Sequence, residues 1–352
     1  MKYSRNSINQ AGKLLAATDN VDLLRVGEAK VMVDNWRRDH LPVLAELVRQ
    51  VEAVLVANDI SVEFGSQRLK RMTSIIDKLH HNPGMCLGGV QDIAGARFVF
   101  SDMTSLLRAK KAITEAQLMG FELDRHVYDY ISQPKESGYR SIHFVYKYSS
   151  ADESLDGKRV ELQIRTRLQH DWATAVETAE LISNSALKAG IGSESWLCFF
   201  QVVSAIFATK EQQPVSVHFS TFTDKDYCQR FAEIEKSGNH VNQLRTLIGA
   251  VSYSTDTFNG GYVVLHVDYR AHEVRMKHYT DDKENEAMDL YGRMESMIDK
   301  TTGAALLVSV ADMKDLLSAY PSYFMNANEF ISALSDFESQ CRVNGYLPAP
   351  RK

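Results

Sequence analysis

Two short runs with a two-residue period constrain this chain more than any other feature. In "SIHFVYKY", residues 141–148, Ile142, Phe144, Tyr146 and Tyr148 alternate with Ser141, His143, Val145 and Lys147. In "RVELQIRT", residues 159–166, Val160, Leu162 and Ile164 alternate with Glu161, Gln163 and Arg165. Successive side chains on a strand point to opposite faces, so each run has one apolar and one polar face. The polar, Gly-containing link "SSADESLDGK" is about ten residues long, which suits an antiparallel hairpin. Pairing the apolar faces puts His143 on the same side as Glu161, Gln163 and Arg165. One such strand reads as a sheet with a wet outer face; four converging polar groups are the first sign of a site.

Other patterns fill in the frame. Leu41, Leu44, Leu47, Val48, Val51, Val54 and Leu55 recur at spacings of three and four, which predicts one long helix over residues 28–57. A helix over 69–80 stops at Pro83 and Gly84. "ARFVF" reads as a buried strand, and "MTSLLRAKKAITEAQL" as a helix that ends before Gly120. A helix from Leu168 to about Leu187 carries Trp172, Ala175, Val176 and Ala179 on its core side, and "WLCFFQVVSAIFA" is a buried helix. "TKEQQP" marks the end of a first domain, residues 1–205. Beyond it, 206–352 reads as a second α+β module: helices from Thr223, two strands in "GGYVVLHVDYRAHEVRMKHY" with a turn near Arg270 to His272, a helix over 283–300, the strand "AALLVSV" and helices after "DMKDLL".

The chain of 352 residues has 44% hydrophobic residues, enough for a sizeable core. No apolar run reaches about 18 residues and the first 20 lack a signal peptide's apolar centre, so a cytoplasmic protein with no membrane partner is expected. Cys86, Cys198, Cys228 and Cys341 show no metal-ligand spacing and no CxxC, which predicts reduced thiols. The net charge of −5 comes from residues 206–352, with 15 basic and 20 acidic side chains; residues 1–205 balance 25 against 25. A general polyanion binder is excluded, whereas a local phosphate site needs only a few converging cations.

Three further segments carry chemistry. "QRLKRMTSIIDKLH" places Arg68, Lys70, Arg71 and Lys78 around a helix start, where they serve either as a solvated basic face or as flanks for a polyphosphate. In "QDIAGARFVF", Asp92 stands at the mouth of a strand as a turn residue or a Mg²⁺ ligand, Gly95 permits close backbone approach, and Arg97 follows. In "DYISQPKESGYRSIH", Pro134 and Gly138 shape a loop that presents Lys135, Tyr139, Arg140 and His143. It is either a turn with a packed Tyr or a base-stacking platform beside phosphate ligands.

In this order the segments resemble the synthetase domain of the RelA/SpoT alarmone synthetase family, in its compact, hydrolase-less type. The Arg-x-Lys with a further Lys, the DIxGxR strand, the PKxxGYRSxH loop and the ExQIRT strand are all present, and the resemblance covers roughly residues 30–190. It implies a nucleotidyltransferase-like mixed sheet flanked by helices, with the second α+β module appended. It also implies transfer of the β,γ-pyrophosphoryl group of ATP to the 3′-hydroxyl of GDP or GTP, with Mg²⁺. By this resemblance Arg68 and Arg97 sandwich the adenine and Lys70 and Lys78 hold the donor phosphates. Asp92 and Glu161 hold the metal, and Glu161 also activates the hydroxyl. Tyr139 stacks on the acceptor base, and Lys135, Arg140, His143, Gln163 and Arg165 line the acceptor side. Phosphoryl-type transfer asks for such positioning and charge more than for covalent help from the protein.

None of His40, His80 and His81 is followed by Asp, so the HD metal motif of the family's hydrolase is absent and no alarmone hydrolysis is expected. Relatives of the compact type imply two other acceptors, the 3′ end of tRNA and adenosine nucleotides. A non-catalytic nucleotide binder is the remaining alternative, against which the intact Asp92 and Glu161 stand. Residues 206–352 match no regulatory domain of the long enzymes and are read as an oligomerisation, sensing or partner-binding segment.

Overall fold

The computed structural model describes residues 3–17, 22–183, 187, 192–247, 252–253, 260–268, 273–298, 303–310, 312–321 and 327–348. In chain order the elements are α1 (Arg5–Ala16), α2 (Leu23–Arg38), α3 (Leu41–Ala57), β1 (Phe64–Leu69), α4 (Met72–His81), β2 (Ala94–Phe100), α5 (Met103–Glu115), β3 (Phe121–Leu123), β4 (Tyr128–Asp129), β5 (Ile142–Tyr148) and β6 (Arg159–Thr166). They continue with α6 (Arg167–Ser183), α7 (Glu194–Lys210), α8 (Asp224–Gly238), α9 (His240–Leu247), β7 (Ser252–Tyr253), β8 (Tyr262–Asp268), β9 (Glu273–Tyr279), α10 (Glu284–Met297), β10 (Gly303–Ser309), α11 (Met313–Ala319) and α12 (Asn328–Val343). The fold is α+β, a mixed sheet flanked by helices.

The opening hairpin forms as its period dictates. β5 and β6 pair antiparallel with His143 opposite Gln163 and Val145 opposite Glu161. Ile142, Phe144, Tyr146, Val160, Leu162 and Ile164 all enter one core, which α3 and α5 cover with Val43, Leu44, Leu47, Val51, Leu106 and Ile113. Burying six side chains of this size removes enough apolar surface to contribute roughly 1.5–3 kcal/mol each, which is what pins the register.

The helix expected over 28–57 is two helices. Pro42 lies in the first turn of α3, and its missing N–H and ring are tolerated there but not inside a continuous helix. The break at Asp39 and His40 lets α2 leave the sheet while α3 stays on it. "FGSQRL", for which no strand is expected above, is strand β1; polar along its middle, it gains order by pairing with β2 over six residues.

The strand order is β3-β5-β6-β2-β1-β10-β8-β9-β7, with β4 also on β5. β2 and β6 run parallel, as do β7 and β9; the other pairs are antiparallel. The boundary expected after residue 205 falls inside α7, and the α+β structure beyond it extends the same sheet. β1 and β10 meet at Gln67↔Ser309 and Arg68↔Val308, and the core of the opening hairpin continues into Val264, Ala287, Met288, Tyr291, Ala305 and Leu307. The turn expected near Arg270 to His272 lies outside the described residues, as does the end of the α6 helix beyond Ser183 apart from Leu187.

Cys228 on α8 and Cys341 on α12 are joined in a disulfide, which corrects the expectation of four reduced thiols; Cys86 and Cys198 are free. Helix packing brings together two residues 113 positions apart, a juxtaposition that spacing alone does not reveal. Among the described residues no helix is long and apolar enough to cross a membrane.

Candidate active site

Sheet register assembles one side of the site. Ser66 and Arg68 on β1 lie opposite Arg97 and Gly95 on β2, which in turn lie beside Gln163 and Glu161 on β6. Alternation puts these side chains on one face, where they line a cavity of about 40 Å³ together with Lys70, Asp92, Ala96 and Tyr320. Lys70 leaves the end of β1, Lys78 projects from α4, and both Nζ atoms donate to Asp92, at 2.8 and 2.9 Å. Burial pushes the Asp92 carboxyl up, but the two ammonium groups outweigh it and hold the group well below the usual carboxylate range. Burial lowers Lys70 in turn, against the pull of Asp92. Arg97 donates through Nη1 to the carbonyl of Ala319 at 3.3 Å, and the Tyr320 hydroxyl donates to the Gln67 carbonyl at 3.1 Å. The end of α11 thus closes one wall of the cavity.

The other side is built from the hairpin and the loop before it. Glu161 accepts from His143 Nδ1 at 2.9 Å and from Gln163 Nε2 at 2.6 Å. His143 Nε2 lies 3.0 Å from the Tyr139 hydroxyl. Burial lowers the His143 imidazole, yet Tyr139 and Glu161 together push it up to about 9, so the ring is a cation at neutral pH. Glu161 responds in kind: burial and the nearby Asp92 raise it, and the imidazolium brings it below its ordinary value. Lys135 places its ammonium 4.2 Å over the Tyr130 ring and 5.4 Å over that of Tyr139. The loop is seated by Gly138, at φ +90°, where an added Cβ would fall 2.8 Å from Ser204 Cβ and 3.1 Å from Trp172. Only glycine fits that approach to α7.

Of the twelve residues to which the resemblance assigns a role, ten face this shared region: Arg68, Lys70, Lys78, Asp92 and Arg97 on one side, Glu161 in the middle, and Gln163, His143, Tyr139 and Lys135 on the other. The other two, Arg140 and Arg165, lie apart from it. Arg140 is 5% exposed and turns inward, donating to Ser204 Oγ and to the Ile131 carbonyl, both at 3.2 Å. Arg165 keeps the strand phase of Glu161 and Gln163 but is 2% exposed, because α6 folds over it. Its guanidinium donates to His170 Nδ1 at 2.5 Å, while His170 Nε2 donates to the Ser318 carbonyl at 2.8 Å. That tautomer requires a neutral imidazole, in keeping with burial and the adjacent Arg165 and Arg97, which drive His170 well below its ordinary value. The imidazole nitrogens of His143 are themselves engaged by Glu161 and Tyr139.

Sequence reasoning missed Ser66 and Tyr320 in the cavity wall, and a row of rings beside Tyr139. Tyr130 stands 6.1 Å from Tyr139 and 5.2 Å from His143, Tyr128 is stacked on Tyr130 at 6.1 Å, and His126 is 4.5 Å from Tyr128. The i, i+2 spacing of "HVYDY" was the available signal.

The fit to Mg²⁺ follows from the donor set. Asp92 and Glu161 present hard oxygen donors to one cavity, close enough for each charge to act on the other. Among the described residues no cluster of three or more His, Cys, Asp or Glu side chains is suited to a metal. Two carboxylates match an ion that completes its shell with water and substrate phosphates, and do not match one held by protein alone.

Comparison with known proteins finds similarity over this region. Residues 67–182 match the family described as "Region found in RelA / SpoT proteins". GTP pyrophosphokinase YjbM of Bacillus subtilis is 36% identical over 124 residues, 32% of this chain and 54% of that protein. An uncharacterized protein of Mycobacterium tuberculosis, Rv1366, is 29% identical over 178 residues, 50% of this chain and 58% of that one. The chain thus spans about half the length of the curated relatives it matches. Among solved structures, small alarmone synthetase 1 of Bacillus subtilis bound to its product pppGpp is 26% identical with a TM-score of 0.42, over 51% of this chain and 93% of that one.

Proposed function

We propose that this protein is an ATP-dependent nucleotide 3′-pyrophosphokinase whose acceptor is GDP or GTP. The observation that carries the reading is the convergence of Arg68, Lys70, Asp92, Arg97, Glu161 and Gln163 on one cavity, with the Tyr139 platform joined to Glu161 through His143. The cations on the β1 and α4 side bind the donor, the adenine between Arg68 and Arg97 and the phosphates at Lys70 and Lys78. The acceptor base stacks on Tyr139 with Lys135 beside it. Seating the donor requires the Arg97 bond to Ala319 to open, since a nucleotide pocket is normally several hundred Å³.

In the reaction so read, the acceptor 3′-oxygen forms a bond to the β-phosphorus of ATP, the bond from that phosphorus to the bridging α,β-oxygen breaks, and AMP leaves. Glu161 takes the hydroxyl proton, held in place by Gln163 and by the imidazolium of His143. Mg²⁺ held by Asp92 and Glu161 would offset charge on the transferring group. Lys70 and Lys78 orient the phosphates and offset their charge as the donor bond breaks.

One observation favours a second reading. The row Tyr139, Tyr130, Tyr128 and His126 offers more stacking surface than one base uses, which suits the single-stranded 3′ end of a tRNA as acceptor. The purified protein, given Mg²⁺ and ATP labelled on the γ-phosphate, is to be offered GDP, GTP, adenosine nucleotides and deacylated tRNA in turn. Label on a guanosine nucleotide supports the first reading and label on tRNA the second; no transfer to any acceptor refutes both.

A further inference from the structure

We propose that Glu295, on α10 in the C-terminal half, is a positioning residue for the donor phosphates, acting through the turn that carries Lys70 and the helix that carries Lys78. The proposal rests on the reading of that side as the ATP site. It begins with a helix start that has no cap of its own. α4 opens at Met72, and Arg71 at its N-cap supplies no side-chain acceptor. The first N–H groups of a helix need partners from elsewhere. Met72 N–H donates to Glu295 Oε1 at 2.5 Å, so the missing cap comes from a residue 223 positions away. A carboxylate there also suits the positive end of the helix.

The same carboxylate is tied to the residue before the helix. Arg37 on α2 donates through Nη2 to Glu295 Oε2 at 3.0 Å and through Nη1 to the Lys70 carbonyl at 3.2 Å. Lys70 N–H donates to the Ile93 carbonyl at 2.8 Å, so both backbone polar groups of Lys70 are fixed, one by the lead into β2 and one by Arg37. Arg37 is fully buried, 5.4 Å from the Tyr291 ring and 3.0 Å from Asp34, and Glu295 is 8% exposed. The pair therefore grips the backbone of the phosphate-binding segment. Lys70 lies two residues before the gripped N–H and Lys78 six after it, so a tilt at Met72 moves both ammonium groups. A neighbouring pair provides the contrast: Arg38 and Asp289 also join α2 to α10, at 3.0 Å, but Asp289 is 64% exposed and, among the described residues, the pair makes no hydrogen bond to α4.

The test uses the full chain with Mg²⁺ and measures calorimetric binding of an α,β-methylene ATP analogue and of AMP. Wild type is compared with Glu295→Ala, Glu295→Gln and Asp289→Ala. A positioning role predicts that Glu295→Ala weakens the ATP analogue at least tenfold and leaves AMP within twofold, since Arg68 and Arg97 are untouched. Glu295→Gln, whose amide oxygen still accepts from Met72, is expected to fall between Glu295→Ala and wild type, and Asp289→Ala to match wild type. Should Glu295→Ala not fold, at least threefold selective weakening in Glu295→Gln carries the proposal. Analogue binding within twofold of wild type in the folded Glu295 variants overturns it, as does equal loss of AMP. Absence of analogue binding by wild type overturns the donor-site reading itself and the proposal with it.

Discussion

Replacing Glu161 by Gln tests the centre of the site with two separable readouts. In the wild type the His143 imidazole stands at about 9 against an ordinary value of 6.5, chiefly because Tyr139 and Glu161 outweigh the burial that lowers it. A group raised in the folded state contributes stability that is complete below its unfolded value and lost as pH rises through its folded value. At about 1.4 kcal/mol per unit, a shift of this size is worth about 2–3 kcal/mol near neutral pH, shared between Tyr139 and Glu161, and close to nothing above about pH 9.5. The amide in Glu161→Gln keeps an ordinary hydrogen bond to Nδ1, and Tyr139 keeps its share of the shift, so the variant should be less stable than wild type at pH 6.5 by about 1 kcal/mol. Above pH 9.5 the gap should close or reverse, because the wild type then buries a carboxylate beside a neutral ring. Urea unfolding followed by Trp fluorescence without metal, at pH 6.5 and 9.5, reads this difference. Turnover, measured at saturating nucleotide, should fall at least about a hundredfold, the order expected for a group acting on the transferring proton. Wild-type turnover, or a stability gap that does not change with pH, would refute the assignment.

Three other outcomes follow from the same geometry. Asp92→Asn removes the anion that holds Lys70 and Lys78; it should lose turnover by about a hundredfold or more while binding metal-free ATP at least as tightly as wild type, measured by calorimetry. Arg140→Met should cost about 1–3 kcal/mol in urea unfolding, by orphaning the Ile131 carbonyl, and leave the acceptor KM within twofold; a selective rise in KM would restore Arg140 to the acceptor site. Cys228→Ser should lower stability by about 2–4 kcal/mol relative to oxidised wild type and abolish the response of thermal unfolding to dithiothreitol; an equal response in both proteins would count against the Cys228 to Cys341 bond.

What the sequence made legible depended on how local the determining contacts are. The β5 and β6 hairpin and its faces were readable because period-two alternation is a property of each strand alone, and the seating of His143 beside Glu161 followed from it. The same alternation put Arg165 on the site face and could not reveal that His170 and Ser318 cover it, since that depends on how α6 and α11 fold back. β1 escaped notice because its middle, Gly65 to Arg68, is polar and its order comes from β2 and β10, the latter about 240 residues downstream. The cap that Glu295 gives to Met72 has no sequence signature either: an acid three residues after an N-cap is recognisable, one supplied by another helix is not.

Under the proposed function, the site's charges make metal and nucleotide depend on each other. Without substrate, the functional groups occupy one another: Lys70 and Lys78 neutralise Asp92, His143 neutralises Glu161, and Arg97 rests on a carbonyl. Incoming phosphates compete for the two lysines, which exchanges one pair of charge-assisted bonds for another and yields little net affinity. The exchange leaves the Asp92 carboxylate largely buried and short of cations beside a polyphosphate, an arrangement that is costly unless a divalent cation arrives with the nucleotide. Glu161 undergoes no such exchange, since its imidazolium partner lies on the acceptor side and remains when the donor binds. On the proposed reading the donor half thus discriminates metal-bound from metal-free nucleotide, whereas the acceptor half keeps its carboxylate aligned whether or not the donor is present.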